Sequence, residues 1–281
     1  MMILYISVWI IGTVYFGYEF WALSHQPGRS ILMLLQHSGI LPKAFVVSTV
    51  PGRSLSLWLG WVGLGLMIIM NLYSMRKKFA FMRPLGSLRA WLDFHIFCGL
   101  LGPTLILYHC NFKVRGVVAI SFWSMVVSFS SGIIGRYFYV QLLTRKSDLE
   151  NLCERISQRI DASFKKRNLV IPPEEKAQYM GRAMQMAGVP ADMEDYNLIV
   201  VFFSAIIGDI RLAFNEVPVG PTWPKKLSIV LQVYAETKRK QVFIEPFQQM
   251  MGYWHAFHFP FAIFMYVAAV IHVASSLLLG V

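Results

Sequence analysis

The chain has 281 residues, of which 56% are hydrophobic and 15% are charged, and its formal net charge is +11. Soluble globular domains have about 45–50% apolar and about 25% charged residues, so this composition excludes an ordinary soluble protein. The basic residues are not interleaved with aromatic residues, and nucleic acid is therefore not an expected partner.

Five apolar stretches are each long enough to cross a membrane as a helix, for which about 20 residues suffice. They are residues 3–22, 57–75, 92–110, 117–140 and 254–279. The first has no basic leader or cleavage site, and we expect a retained span. The predicted fold is an all-α integral membrane protein with three parts. These are four transmembrane helices in residues 1–140, a polar helical insertion at 141–253 and a last transmembrane helix in 254–281.

The distribution of basic residues predicts the orientation of these helices. The loop at 76–91 carries five Lys or Arg residues and no acidic residue, and Arg145 and Lys146 begin the polar insertion. Short loops rich in Lys and Arg stay in the cytoplasm. We therefore expect the N-terminus and residues 141–253 inside, and the C-terminus outside.

The insertion is predicted to contain amphipathic helices. Residues 146–167 place Leu149, Leu152, Ile156 and Ile160 on one stripe, and a second short helix follows Pro172 and Pro173.

Residues 198–214 form the one ambiguous segment, because they are apolar but include Asp209 and Arg211. If they crossed the membrane, the basic residues at 225–226 and 238–240 would lie outside, against the charge rule. A buried or membrane-lying helix is the expected alternative.

Two pairs of histidines repeat one interval inside apolar stretches. His95 and His109 are fourteen residues apart, and so are His258 and His272. Fourteen residues at about 100° each come to about 40° short of four turns, so each pair faces one way. The rings of a pair lie about 21 Å apart along the axis, most of a hydrocarbon core of about 30 Å.

Two such helices side by side predict two stacked sites with one imidazole from each helix, and two haems are the expected occupants. The axial pairs are His95 with His258 and His109 with His272. If residues 198–214 crossed the membrane, the pairs would be His95 with His272 and His109 with His258. Zinc would need a tighter cluster of ligands, and four hydrogen-bonded structural histidines are the alternative without chemistry.

Three other histidines compete less well for iron. His255 lies one turn before His258, but its seventeen-residue distance to His272 rotates the face by about 100°. It is instead a candidate to bond a haem propionate or a quinone. His25 and His37 lie in the predicted external loop and are expected to be solvated.

Further residues are candidates for haem contacts. Gly99 and Gly102 flank the middle of the first histidine helix, where a haem edge or a neighbouring helix needs close approach. Propionates could pair with basic residues near the two membrane levels, although such residues also extend toward the interface by default. These residues are Arg89, Arg136, Lys113 and Arg115. Cys98, Cys110 and Cys153 form no CxxC motif, so covalent haem attachment is not expected.

Two helices that each bear H-x13-H resemble the bis-haem b-type membrane cytochromes, which include the respiratory cytochrome b fold and the ferric-reductase transmembrane domain. The resemblance covers residues 92–140 and 245–280. The phrases LDFHIFCGLLGPTLILYH, SGIIGRYFY and YWHAFHFPFAIFMYVAAVIH look like uncharacterised bacterial cytochrome b-like proteins. A GxGxxG motif and a PEWY-like quinol-site motif are missing from the sequence.

The resemblance implies transmembrane electron transfer through two haem b groups in a bacterial inner membrane. It further implies membrane lipid, the quinone pool and other subunits of a redox complex as partners, such as a c-type cytochrome or an iron–sulfur protein on the periplasmic side. Glu19 is a candidate proton-handling group at a quinol site, or an interfacial carboxylate. The alternatives are a stand-alone ferric or quinone reductase fed by a flavoprotein, and a non-redox scaffold or transporter.

Overall fold

The computed structural model describes residues 2–116, 118–167, 169–190, 197–221 and 223–279, and this part of the chain is helical and has no strand. The predicted ranges also include residues 1, 117, 168, 191–196, 222, 280 and 281, which lie outside the described residues. The α-helices are α1 (Met2–His25), α2 (Ile31–His37), α3 (Ser54–Ile69), α4 (Leu72–Lys78), α5 (Leu88–His109), α6 (Val118–Gln141), α7 (Lys146–Lys165), α8 (Pro173–Met186), α9 (Leu198–Phe214), α10 (Leu227–Val242) and α11 (Ile244–Leu279).

Four helical segments of the described chain are long and apolar enough to cross a membrane. They are Met2–His25, Ser54–Lys78, Leu88–His109 and Ile244–Leu278. They correspond to the predicted spans at 3–22, 57–75, 92–110 and 254–279, and the chain is thus an all-α protein with the character of a multi-pass membrane protein. Helix α6, at the predicted span 117–140, is not among the four; it contains five serines and Arg136.

The chain divides into two compact units. Unit 1 comprises Met1–Ile133 and Phe257–Val281, and unit 2 comprises Ile134–Ala256, which covers nearly the same residues as the predicted insertion. Helices α6 and α11 contribute residues to both units.

In unit 1, α5 packs most extensively against α3 and also contacts α1 and α4. Small residues allow this close approach: a Cβ on Gly63 would lie 3.0 Å from the carbonyl oxygen of Gly102. The apolar core beside it contains Phe20 from α1, Leu59 from α3 and Tyr108 from α5. Helix α5 is thereby held by three other helices.

In unit 2, amphipathic helices surround a core that the sequence pattern predicted with one error. Leu149, Ile156 and Ile160 of α7 are buried, but Leu152 is 42% exposed and Cys153 takes its place. On a helix, Leu152 and Cys153 both lie near the face of Leu149. The other buried residues of α7, Ile156, Ile160 and Phe164, follow Leu149 by 7, 11 and 15 residues, and Cys153 lies closer to their common face than Leu152 does. The predicted second helix is confirmed as α8, which begins at Pro173. A backbone N–H at the first helical position has no acceptor within the helix, so proline is tolerated there.

Candidate functional site

The four histidines of the repeated interval lie on α5 and α11 within unit 1. Helix α5 begins at Leu88, where the Ser87 side chain caps it by accepting from the Ala90 N–H, and it ends at His109. His95 thus lies two turns inside the helix and His109 at its last residue.

His95 is oriented by a carbonyl group of the span that contains α3 and α4. Its Nδ1 lies 3.0 Å from the Met70 carbonyl oxygen. That carbonyl lies at the break between the two helices, because α3 ends at Ile69 and α4 begins at Leu72. A carbonyl oxygen only accepts hydrogen bonds, so Nδ1 carries the proton and Nε2 of the neutral ring carries the lone pair.

The break itself is held by Asn71. Its side-chain amide donates to the Met67 carbonyl at 3.0 Å and to the Tyr266 hydroxyl of α11 at 2.7 Å. The Tyr266 hydroxyl in turn donates to the Met67 carbonyl. The ring of Tyr73, just beyond the break, packs against His95 with a centroid distance of 5.5 Å.

His109 has the same arrangement at the other end of α3. Its Nδ1 lies 2.8 Å from the Ser56 carbonyl oxygen, while the Ser56 hydroxyl donates to the His109 carbonyl at 2.8 Å. The ring lies directly over Gly60, where a Cβ would be 2.7 Å from Nδ1. Nδ1 is again the donor, so the lone pair is on Nε2.

His258 of α11 is oriented by a hydroxyl group. Its Nδ1 lies 2.7 Å from Ser131 Oγ, and that hydroxyl donates to the Ser128 carbonyl at 3.0 Å. A hydroxyl can donate to one neighbour and accept from another, so Ser131 Oγ can bond His258 Nδ1 in either role. Three rings on two helices thus bond the protein through Nδ1. In His95 and His109 the carbonyl partner fixes the proton on that nitrogen, as in metal-binding histidines whose second nitrogen bonds a carbonyl.

His272 lies near enough to His109 for the two rings to interact electrostatically. Earlier in both α5 and α11, His95 and Tyr266 bond adjacent residues of one span: His95 bonds Met70, and Tyr266 bonds Asn71. The predicted pair His109 and His272 thus lies at one level of the two helices, and this order of contacts is that of two helices that run in the same direction.

A buried methionine cluster lies midway between the histidine levels. Met67 of α3, Met125 of α6 and Met265 of α11 pack together and are each at most 4% exposed. Met265 is seven residues from His258 and seven from His272. The space between the two levels is thus lined by apolar and polarisable side chains.

The two candidate glycines have different neighbours. A Cβ on Gly102 would lie 2.9 Å from Met67 Cγ and 3.2 Å from the Gly63 carbonyl, whereas one on Gly99 would lie 3.8 Å from Met70 Sδ. Gly102 therefore serves the packing of α5 on α3, which was the alternative to a haem contact.

The basic candidates are less constrained than the histidines. Arg89, Lys113 and Arg115 are exposed. In unit 2, Arg136 lies over the Tyr139 ring at 6.0 Å, and the exposed His255 lies beside Trp254 with ring centroids 6.2 Å apart.

The remaining candidates make local contacts. His25 and His37 are exposed, and each bonds a carbonyl of its own helix, at Trp21 and Met33. Glu19 is fully buried and accepts from the Ser30 hydroxyl and the Ile31 N–H, both at 2.7 Å. Glu19 of α1 therefore binds the N-terminal end of α2, and these hydrogen bonds give the carboxylate a structural role.

The orienting partners Ser56, Met70 and Ser131 were not predicted. A serine on a helix facing another span is a weak signal, and a backbone carbonyl gives no signal in the sequence. Within the described ranges, no group of three or more His, Cys, Asp or Glu residues converges to hold a metal ion. The chemistry that His95 and His109 offer is a lone pair on Nε2 of a neutral imidazole, which is a donor for metal ions. Comparison with known protein families, with curated proteins and with solved structures found no match.

Proposed function

We propose that this chain carries electrons across a membrane through two b-type haems, one held by His95 and His258 and the other by His109 and His272. The observation that carries the proposal is the orientation of His95 and His109: in each ring a carbonyl oxygen accepts from Nδ1, which leaves the lone pair on Nε2. The neighbouring positions of His109 and His272 support the pairing.

The donor set fits haem iron. Two neutral imidazoles would hold each iron, from His95 with His258 and from His109 with His272, and such a donor set would favour electron transfer over reactions of ligands at the metal. The haem would supply the electron-carrying orbital. The chain's own residues hold the rings in one orientation through Ser56, Met70 and Ser131, and the methionine cluster excludes water from the region between the two levels.

We further propose that α6 is a fifth membrane span. Ser121 Oγ donates to the Met265 carbonyl at 3.3 Å, and Ser131 bonds His258 at 2.7 Å, so α6 runs antiparallel along α11. If α6 crosses the membrane once between α5 and α11, then α5 and α11 cross it in the same direction. The serines that lower the hydropathy of α6 are therefore used for contacts inside the bundle.

The orientation and partners are proposed as well. The basic loop at 76–91 favours a cytoplasmic N-terminus and insertion, a periplasmic C-terminus and a bacterial inner membrane location. We propose the quinone pool and a periplasmic carrier or redox-complex subunit as electron partners. Identification of the proteins that co-purify in mild detergent tests this assignment, and a chain that is isolated alone and active with quinol would contradict it.

The variant His109→Ala tests the two-haem proposal. We expect it to lose about half of the haem per chain, because one axial ligand of one haem is removed while the other site keeps both. The matched control is His37→Ala, which removes an exposed histidine bonded to its own helix and should keep the wild-type haem content. Full retention of both haems in His109→Ala would refute the assignment of His109.

A further inference from the structure

Helix α9 in unit 2 has two opposite faces, both apolar. One face is buried in the unit through Val201, Ala205, Gly208 and Leu212. The other, which we call the α9 face, is solvent-exposed. Its residues and their exposed fractions are Ile199 (66%), Phe203 (55%), Ile207 (45%), Ile210 (53%) and Phe214 (84%). Their spacings of 4, 4, 3 and 4 residues place them on a stripe that runs the full length of the helix.

The α9 face resembles the lipid-facing surfaces of unit 1 in composition and exposure. On α1, which is a candidate span, Ile3, Ile11 and Val14 are 83%, 67% and 65% exposed. A contiguous surface of large apolar side chains is rare on a domain surrounded by water and marks a contact with another phase or molecule.

Charge on α9 is arranged to leave this face neutral. Asp209 is bound on the protein side, where it pairs with Arg239 and accepts from the Tyr137 hydroxyl at 2.8 Å. Arg211 is exposed beside the face, and the next basic residues, Lys225 and Lys226, are exposed as well. Apolar side chains flanked by Arg and Lys match the boundary between acyl chains and anionic headgroups.

The direction of the bundle helices argues against α9 as a span. Ser121 bonds Met265 and Ser131 bonds His258, so α6 and α11 run in opposite directions, as consecutive spans do when nothing crosses the membrane between them. A second crossing by α9 would reverse α11. The 17 residues of α9 also extend only about 25 Å, less than the hydrocarbon core of about 30 Å.

We propose that α9 lies in the surface of the bilayer, with the α9 face immersed among the lipids and its axis along the membrane plane. Unit 2 is joined to a membrane-crossing segment of the same chain, since α11 continues past residue 256. The chain therefore tethers unit 2 to a bilayer, and the proposal commits to lipid rather than to a protein partner. It holds whether or not the histidines bind haem.

Spin-label depth measurement tests the proposal on the full chain. In a variant with Cys98, Cys110 and Cys153 replaced by Ser, single cysteines at 199, 203, 210 and 214 are labelled with a nitroxide. The chain is reconstituted in vesicles of phosphatidylcholine and phosphatidylglycerol, and relaxation by oxygen is compared with relaxation by a water-soluble nickel chelate. The matched control is a label at Arg159, an exposed position on α7.

We expect the ratio of oxygen to nickel accessibility at all four positions to exceed the control several-fold and to indicate one shallow depth. A depth that is greatest at 203 and 210 and falls to zero at 199 and 214 would show that α9 crosses the membrane. Control-like ratios would show a face in water, and protection from both reagents would show a protein partner. Each of these three results overturns the proposal.

A second measurement needs no substitution. A phospholipid with a photoactivatable group at the level of its glycerol backbone, present in the same vesicles, should label the wild-type tryptic peptide that ends at Arg211. Absence of label from that peptide, while peptides of the candidate spans are labelled, would contradict a membrane-lying α9 even if the cysteine variants fail to fold.

Discussion

At the level of single residues, one nitrogen on each ring decides what a histidine can do. In His95 and His109 a carbonyl oxygen holds the proton on Nδ1, and in His258 the same nitrogen bonds a serine hydroxyl. A histidine buried only for packing needs one such bond as well. What distinguishes these rings is that three of them, at positions set by one repeated interval, use the same nitrogen for it.

Gly60 is the residue that lets His109 occupy its position. We predict that Gly60→Ala costs about 1–3 kcal/mol of stability, because the new methyl group would overlap the imidazole ring. Gly65→Ala on the same helix is the control, since nothing lies within 4 Å of its Cβ position. The control should be neutral or more stable by up to about 1 kcal/mol. Thermal unfolding in detergent measures both, and equal midpoints for the two variants would contradict the described position of His109.

Ser131 is predicted to position His258 without touching the iron itself. Ser131→Ala removes the hydroxyl that bonds Nδ1, and we expect the affinity for haem at this site to fall about 10–100-fold. Ser130→Ala, an exposed neighbour on α6, should have no effect, and Ser131→Thr should restore binding because it keeps a hydroxyl. Haem titration of the apoprotein gives the affinities. An unchanged affinity in Ser131→Ala would mean that the hydroxyl does not orient the ligand.

At the level of helices, breaks and polar side chains position the site. The span Ser54–Lys78 is interrupted at Met70 and Asn71, and this interruption exposes the carbonyl that binds His95. Helix α6 uses Ser121 and Ser131 to contact α11. Features that weaken the apolar signal of a span in the sequence are thus the features that connect the spans to one another.

In unit 2, Arg239 joins three helices and is only 1% exposed. Its guanidinium donates to the carbonyls of Ala187 and Ala205 at 3.0 and 3.1 Å and pairs with Asp209. We predict that Arg239→Met costs about 3 kcal/mol, because buried acceptors lose their donor and Asp209 loses its partner.

Lys240→Met is the control on the same helix α10, and it should change stability by no more than about 0.5 kcal/mol. Chemical unfolding followed by circular dichroism compares the two variants. If Arg239→Met were as stable as Lys240→Met, the buried guanidinium would have no structural role.

At the level of the whole molecule, the sequence predicted the parts that depend on periodicity. Apolar length located the four candidate spans, and one repeated interval located the four histidines. The sequence could not predict side-chain partners that exist only once the helices pack together. The Met70 carbonyl, the contact of Gly60 with His109 and the packing of Gly102 on α3 are of this kind.

Borderline segments were harder to assign for a related reason. Hydropathy counts each residue as if it faced lipid, whereas Asp209 of α9 pairs with Arg239 and the serines of α6 bond α11. Leu152 of α7 was a different kind of error, because the spacing of the buried residues that follow selects Cys153, whereas apolar character alone favours Leu152.

The haem content of the purified wild-type protein tests the central claim most directly. We predict two haems per chain by pyridine haemochrome assay, with the α-band of a low-spin b-type haem in the reduced-minus-oxidised spectrum. Chains expressed with adequate haem supply and purified in mild detergent that contain no haem, and show no such band, would contradict electron transfer through this protein.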